Sequence, residues 1–119
     1  MKKFMGRHLI VDAYGVGRDI LQNKKLLKRM LGDLPKELNM RILKQPAVHE
    51  IKSETHSNIG FSGFAILYES HVSFHTWPEE NFIAIDVYSC NDFDKNAAVN
   101  FIKKILGVKK VQFKSIIRG

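Results

Sequence analysis

Alternation of apolar and polar positions, in short runs rich in β-formers, predicts six β-strands along this chain. In the last of these runs, Val111, Phe113, Ser115 and Ile117 are predicted to point inward, with lysine and glutamine between them. Residues 39–52 are expected to form a strand broken or bent near Pro46, because proline cannot donate to a sheet ladder. The remaining predicted strands span residues 8–15, 61–69, 71–77 and 81–90.

Two segments instead have apolar residues at helical spacing. Residues 17–31 place their apolar side chains near one helical face, and Gly32 is the predicted helix end. Residues 92–106 form a second predicted helix, with Asn91 or Asp92 as the candidate cap and Gly107 as its end. The apolar stripe of the second helix consists of Ala98, Phe101, Ile102, Ile105 and Leu106.

The predicted elements follow one another in the order β-α-β-β-β-β-α-β within a single domain, residues 1–119. Strands outnumber helices and short turns join neighbouring strands, so the expected fold class is α+β. We expect a two-layer sandwich, in which an antiparallel sheet carries two helices on one face. The other face of the sheet then needs a cover, and a second subunit, giving a homodimer, is the simplest candidate.

Charge and cysteine content restrict the possible partners and cellular location of the protein. Of the net charge of +7, all comes from residues 95–119, which contain seven Lys or Arg residues and no acid. No nucleic-acid-binding motif accompanies these lysines, so we interpret them as a solvated polar face and predict no nucleic-acid partner. The apolar run near the start is too short for a signal peptide or a membrane span, so no membrane association is predicted. Cys90 is the single cysteine, which excludes an intrachain disulfide and indicates a cytoplasmic protein.

The stretch YESHVSFHTWPE, residues 68–79, carries more reactive side chains than an ordinary strand needs. His71 and His75 are four residues apart, which in a strand is a separation of roughly 13 Å. A zinc ion holds its ligands at about 2 Å, so this pair cannot chelate one metal unaided, and no metal site is predicted. Ser70, His75 and Cys90 remain as the candidates for chemistry.

Several motifs resemble prokaryotic S-adenosylmethionine decarboxylase. They are Glu69-Ser70-His71, His75-Thr76-Trp77-Pro78-Glu79 and Asp86-Val87-Tyr88-Ser89-Cys90, with Gly6-Arg7-His8, Gly60-Phe61-Ser62-Gly63 and Ile117-Arg118-Gly119 outside that centre. The resemblance spans essentially the whole chain and is strongest over residues 60–90.

The resemblance implies that the protein is a proenzyme that cleaves itself between Glu69 and Ser70. The products would be a β chain, residues 1–69, and an α chain, residues 70–119, whose new amino terminus is a pyruvoyl group derived from Ser70. By the same resemblance, His75 is the base of self-processing, and Ser62 assists by hydrogen bonding at the scissile carbonyl. An imidazole suits this role because its pKa lies close to neutrality.

The implied reaction is decarboxylation of S-adenosylmethionine, which gives the aminopropyl donor for spermidine biosynthesis. The pyruvoyl carbonyl would form a Schiff base with the substrate amine. Cys90 would protonate the former α-carbon of the substrate, and Glu79 would bind the two ribose hydroxyls. His56 falls where the family usually has a phenylalanine that stacks on adenine, and histidine can stack on a base as well.

Two other functions are weighed against this one. A relative on the same scaffold could decarboxylate arginine or another basic amino acid. Pro78 favours S-adenosylmethionine, whereas His56 in place of the usual aromatic keeps the arginine alternative open. A basic RNA-binding α+β domain is a more distant alternative, and it would leave the order of Glu69, Ser70, His75 and Cys90 unexplained.

Overall fold

The computed structural model describes residues 5–52 and 59–119. Its strands are β1 (Gly6–Tyr14), β2 (Ala47–Lys52), β3 (Ile59–Leu67), β4 (Ser70–Trp77), β5 (Phe82–Ser89) and β6 (Gln112–Arg118). Its helices are α1 (Arg18–Leu21), α2 (Lys24–Glu37) and α3 (Lys95–Leu106), and a short 3-10 turn, Pro78–Glu80, joins β4 to β5. Among the described residues, no helix is long and apolar enough to cross a membrane.

The six strands form one sheet in the order β2-β3-β4-β5-β1-β6, and every neighbouring pair is antiparallel. Alternate residues of the central strands are buried together with the apolar faces of α2 and α3 in one hydrophobic core. The predicted α+β sandwich, with an antiparallel sheet and its helices on one face, is therefore confirmed.

The predicted first helix is wrong in its extent. The segment divides into α1 and α2, and the Asn23 side chain caps α2 by accepting a hydrogen bond from the Leu26 amide. Helix α2 then continues through Gly32 to Glu37. Leu34, beyond the glycine, is fully buried in the core, and this burial outweighs the roughly 1 kcal/mol that an interior glycine costs a helix.

The carboxyl-terminal end of α3 matches the prediction, and the amino-terminal end does not. Asp94, and not Asn91 or Asp92, is the amino-terminal cap, because its carboxylate accepts from the amides of Asn96 and Ala97. At the other end, Gly107 adopts a left-handed conformation with φ of +68°, as expected for a glycine that stops a helix.

The alternation predicted for β6 is confirmed in direction for Phe113 and Ile117, but the burial that it implies is wrong. Register with β1 places Phe113 and Ile117 on the helix side of the sheet, opposite Val11 and Arg7. They are nevertheless 47% and 52% exposed, respectively. Because β6 is the edge strand, the helix layer that covers the centre of the sheet leaves these side chains in solvent.

Within residues 5–52 and 59–119, no helix or strand covers the face of the sheet opposite the helices. This face presents side chains from all six strands, including exposed Ile51, Phe64, Ile66 and Trp77. The reactive side chains His71, Ser73 and His75 of β4 share this face with them, because residues two apart in a strand point the same way. We call this surface the open face.

Candidate active site

Ser70 begins β4 directly after a two-residue turn. Leu67 and Ser70 are paired across the β3–β4 hairpin, so Tyr68 and Glu69 alone form the turn. Turns of this length favour asparagine and glycine, since their central residues need positive φ. Here Ser70 takes the positive φ instead, at +147°, which is a strained value for a residue with a side chain.

The residue before Ser70 is held through its side chain. Glu69 is buried, and its carboxylate accepts hydrogen bonds from the backbone amide of Arg41 at 2.9 Å and from Arg41 Nε at 3.1 Å. Burial raises the pKa of this carboxyl, but the hydrogen bonds and the charge of Arg41 oppose that effect, and the pKa lies below its usual value. Glu69 is therefore ionised at neutral pH.

The main chain of Glu69 is held from another direction. Its carbonyl oxygen accepts a hydrogen bond of 2.8 Å from the backbone amide of Cys90. Cys90 reaches this position because it follows β5, whose Ser89 lies opposite Ser70 in the sheet. The structure thus brings Glu69, Ser70 and Cys90 together; we call this group the serine half-site.

Ser62 and His75 lie together at a different place. They face each other across β3 and β4 on the open face, and Ser62 Oγ lies 2.6 Å from His75 Nδ1. A cavity of about 260 Å³ adjoins them and is also lined by Trp77, Glu79 and Gly60. Glu79 reaches it because Pro78 starts the 3-10 turn directly after β4. We call Ser62, His75 and Glu79 the histidine half-site.

The two half-sites lie far apart within one chain. Five residues along β4 separate Ser70 from His75, a distance of about 16 Å in a strand. The chain therefore cannot bring its own His75 to its own Ser70. The strand spacing that excludes a metal between His71 and His75 also predicts this separation from the sequence alone.

The open face carries a further polar group between β1, β4 and β5. His8 Nε2 lies 3.0 Å from Asp86 Oδ1, and the His71 ring lies between Phe64 and Tyr88, with ring centroids 5.1 and 5.8 Å away. Burial lowers the pKa of His71, and electrostatic repulsion from His8 and Arg118 lowers it further, while Asp86 opposes them. His71 is neutral at neutral pH.

Two features of the site lie outside what sequence reasoning found. Arg41 was not a candidate, since 28 positions separate it from Glu69 and no motif connects them. The amide of Cys90 was not a candidate either, because the sequence pointed only to its thiol. The proposed adenine partner, His56, lies outside the described residues.

Comparisons with known proteins show the family to which the chain belongs. A family model described as S-adenosylmethionine decarboxylase matches residues 7–119. The S-adenosylmethionine decarboxylase proenzyme of Clostridium botulinum (strain Langeland) is 38% identical over 118 residues, covering 98% of this chain and 97% of its own length. That of Carboxydothermus hydrogenoformans is 34% identical over 116 residues, covering 97% of this chain and 87% of its own.

A solved structure is similar throughout as well. The crystal structure of the adenosylmethionine decarboxylase from Aquifex aeolicus superposes with a TM-score of 0.79 at 29% identity, covering 99% of this chain and 93% of that one. The chain belongs to the S-adenosylmethionine decarboxylase family, as the resemblance in its sequence indicated.

Proposed function

We propose that this protein decarboxylates S-adenosylmethionine with a pyruvoyl group that it makes from Ser70, and so supplies the aminopropyl donor for spermidine synthesis in the cytoplasm. The observation that carries the proposal is the strained conformation of Ser70, φ +147°, directly after a carbonyl that the Cys90 amide holds at 2.8 Å. The relatives' description as proenzymes supports processing of this chain. Within the part of the chain that the structure describes, no observation favours the alternative substrate, arginine.

The residues at the serine half-site fit the formation of a pyruvoyl group. The Ser70 hydroxyl attacks the Glu69 carbonyl carbon, and the carbon–nitrogen bond breaks as the nitrogen gains a proton, which leaves an ester. The Cys90 amide stabilises the negative charge that develops on the Glu69 oxygen during this attack. Strain at Ser70 assists, because breaking the peptide bond relieves it.

The remaining processing steps need a base. Removal of the Ser70 α-proton breaks the bond between Cβ and Oγ, and Glu69 leaves as a carboxylate. The enamine left on residue 70 tautomerises, takes up one water and releases ammonia. The products are a chain of 69 residues ending in Glu69 and a chain of 50 residues that begins with a ketoacyl group.

The base is His75 of a second copy of the chain. Within one copy His75 stands about 16 Å from Ser70, so the two half-sites can act together only across two molecules. The apolar side chains of the open face support this homodimer, since an extended exposed apolar surface is typical of an interface. Ser62, at 2.6 Å from His75, orients the imidazole.

The same residues serve the decarboxylation. A pyruvoyl group, once formed, supplies an electron sink for the electrons released with carbon dioxide. The Cys90 thiol, close to position 70 through the Glu69–Cys90 hydrogen bond, donates the proton that replaces carbon dioxide on the substrate. Glu79 binds the ribose hydroxyls from the cavity it shares with Trp77, and His56 stacks on the adenine.

Intact mass of the purified protein tests self-cleavage. We expect two fragments of 69 and 50 residues, of which the smaller resists Edman sequencing because its terminus is not an amine. Ser70→Ala should leave one inactive full-length chain. Cleavage of that variant at the same bond, or full activity of the uncleaved wild type, contradicts the mechanism.

Complementation tests the shared site. Ser70→Ala and His75→Ala should each stay uncleaved alone. Coexpressed, they form mixed dimers in which the Ser70→Ala chain supplies His75, so the His75→Ala chain should be cleaved. If the mixture stays uncleaved while mixed dimers are demonstrated by native mass spectrometry, the two half-sites do not combine across the dimer.

A further inference from the structure

Arg41 contacts both residues of the turn that precedes Ser70. Its carbonyl accepts a hydrogen bond of 3.0 Å from the Tyr68 amide, and its guanidinium lies 4.8 Å from the centre of the Tyr68 ring. Its amide and Nε occupy the two different carboxylate oxygens of Glu69. The segment is itself tied to β3, because Ile42 forms an isolated antiparallel bridge with Leu67.

These contacts restrict the Glu69 side chain. A carboxylate with each oxygen bonded to a donor of the same residue cannot rotate without breaking at least one charge-assisted hydrogen bond. The Arg41 side chain is 72% exposed, so water and salt weaken the ion pair. The backbone amide of Arg41 does not depend on that side chain and holds the other oxygen.

Glu69 is consequently fixed at two points by different parts of the fold. The segment after α2 holds its side chain, and the residue after β5 holds its carbonyl oxygen. The next residue, Ser70, has a backbone conformation that an L-residue adopts only when its surroundings impose it. Two anchors on Glu69 provide that constraint, because they fix the orientation of the Glu69–Ser70 peptide relative to the sheet.

We propose that Arg41 is a positioning residue for self-cleavage, which holds Glu69 so that the Glu69–Ser70 peptide stays in the strained conformation from which the Ser70 hydroxyl attacks. This inference rests on the proposed self-cleavage. Arg41 contributes no proton and touches neither the broken bond nor the hydroxyl; it acts through the Glu69 carboxylate. Its contribution therefore depends on the charge of Glu69.

The rate of cleavage tests the proposal. Full-length chain made in a short pulse of cell-free translation is followed by gel electrophoresis and intact mass during a chase. Arg41→Ala should cleave about fivefold to tenfold more slowly, the lower range for a charge-assisted hydrogen bond because the guanidinium is exposed. Arg29→Ala, which removes an exposed arginine of α2, is the matched control and should cleave at the wild-type rate.

A double variant distinguishes positioning from a general loss of structure. In a Glu69→Gln background, Arg41→Ala should slow cleavage by less than about twofold, because the charged partner through which Arg41 acts is already gone. Melting temperatures measured in the Ser70→Ala background, where no chain is cleaved, should fall little for Arg41→Ala.

The pH dependence of the cleavage rate is a second measurement, which a loss of structure alone would not change. Arg41 holds the pKa of Glu69 low, so in the wild type the anchor is present at neutral pH and is lost only as pH falls below the ordinary carboxyl range. Without the guanidinium, burial still raises the pKa of Glu69 and only the backbone hydrogen bonds oppose it, so this pKa is higher than in the wild type. The other carboxylates that line the same cavity, those of Glu37, Asp92 and Asp94, have the same charge as Glu69 and so do not oppose this rise. The acid limb of the cleavage rate should therefore move to higher pH in Arg41→Ala.

Each outcome bears on one proposal or the other. A wild-type chain that is never cleaved at 69/70 overturns the proposed function, and Arg41 then has no bond to position. A cleaved wild type with an Arg41→Ala variant of equal rate and unshifted acid limb overturns the role of Arg41 alone. An effect of Arg41→Ala that is as large in the Glu69→Gln background as in the wild type also overturns that role, since the arginine would then act elsewhere.

Discussion

At the scale of single residues, different atoms of the same residue have different roles in the serine half-site. Glu69 contributes a carboxylate to one anchor and a carbonyl oxygen to another. Cys90 contributes a backbone amide to the proposed cleavage and a thiol to the proposed decarboxylation. A side-chain substitution at Cys90 leaves the amide in place, so the two roles can be separated by mutation.

We predict that His75→Ala blocks self-cleavage, whereas Cys90→Ala is cleaved at least in part and decarboxylates poorly. The histidine removes a proton from Ser70 during self-cleavage, whereas the thiol acts only on the substrate afterwards. Intact mass measures the first step and release of labelled carbon dioxide measures the second. Equal loss of cleavage in both variants would remove the basis for assigning them different roles.

We also expect substrate choice to depend on single side chains. We predict release of labelled carbon dioxide from S-adenosylmethionine and little from arginine or ornithine. His56→Ala should raise KM about tenfold, in line with the roughly 1–3 kcal/mol of a base-stacking contact. A guanidinium would need a carboxylate held so that it accepts two parallel hydrogen bonds. Glu79 instead shares its cavity with the aromatic side chain of Trp77, a combination that suits a nucleoside. Faster turnover of arginine would contradict the substrate and leave the self-cleavage intact.

At the scale of elements, the β3–β4 hairpin organises both half-sites. Its turn places Glu69 and Ser70 at one end, and its other end places Ser62 opposite His75. The hairpin packs against α2 through Gly63, where a Cβ would meet the ring of Phe74 and lie 2.8 Å from Leu31 Cδ1. The backbone at this position has an ordinary β conformation. Glycine is therefore needed for the close packing of sheet and helix, and not for its backbone freedom.

Gly63→Ala should therefore destabilise the fold by about 1–3 kcal/mol, the usual cost of overpacking a core. Gly32→Ala is the matched control, since a Cβ at that position meets nothing within 4 Å. It should stabilise the protein by roughly 0.5–1 kcal/mol, because alanine is the better helix former. Urea denaturation of both variants in the Ser70→Ala background measures the difference. Equal stability of the two variants would contradict the packing of β3 against α2.

At the scale of the whole molecule, the sheet has one face covered by helices and one open face. The open face carries exposed apolar side chains as well as the histidine half-site. Exposed phenylalanines occur on both sides of the sheet: Phe64 on the open face is 44% exposed, and Phe113 on the helix side of the edge strand is 47% exposed. Because the two side chains are almost equally exposed, substituting each in turn tests which face of the sheet forms the proposed dimer interface.

Phe64→Asp should produce a monomer that is not cleaved, because a charge buried without a partner in the interface is costly and the site then lacks its second copy. Phe113→Asp should remain a dimer and be cleaved normally. Sedimentation velocity gives the oligomeric state and intact mass gives the cleavage. A cleaved Phe64→Asp monomer would show that one chain is sufficient.

The excess of strands and the short turns between them indicated an antiparallel sheet with its helices on one face. Periodicity indicated which segments are strands or helices, because a period of two or of 3.6 shows directly which residues must leave water. Residue types also identified Ser70, His75 and Cys90 as the candidates for chemistry, through a resemblance to a family that the comparisons confirm. Their individual roles remain predictions.

Local sequence determined the end of α3 at Gly107, but not the end of α2 or how much an edge strand is buried. Helix α2 passes Gly32 because Leu34 can still reach the core, and Phe113 stays exposed because β6 lies at the sheet edge. Both outcomes depend on neighbours that are distant in the chain.

Only the tertiary structure decided how the serine half-site is held. The strain at Ser70, the carboxylate of Glu69 on Arg41 and the Cys90 amide on the Glu69 carbonyl join segments that are distant in the chain. No local sequence pattern predicts such contacts. Every residue except proline has a backbone amide, and the sequence around an exposed arginine does not show which distant residue it contacts. Folding alone makes them neighbours, by pairing Ser70 with Ser89 and by laying the segment after α2 against the hairpin turn.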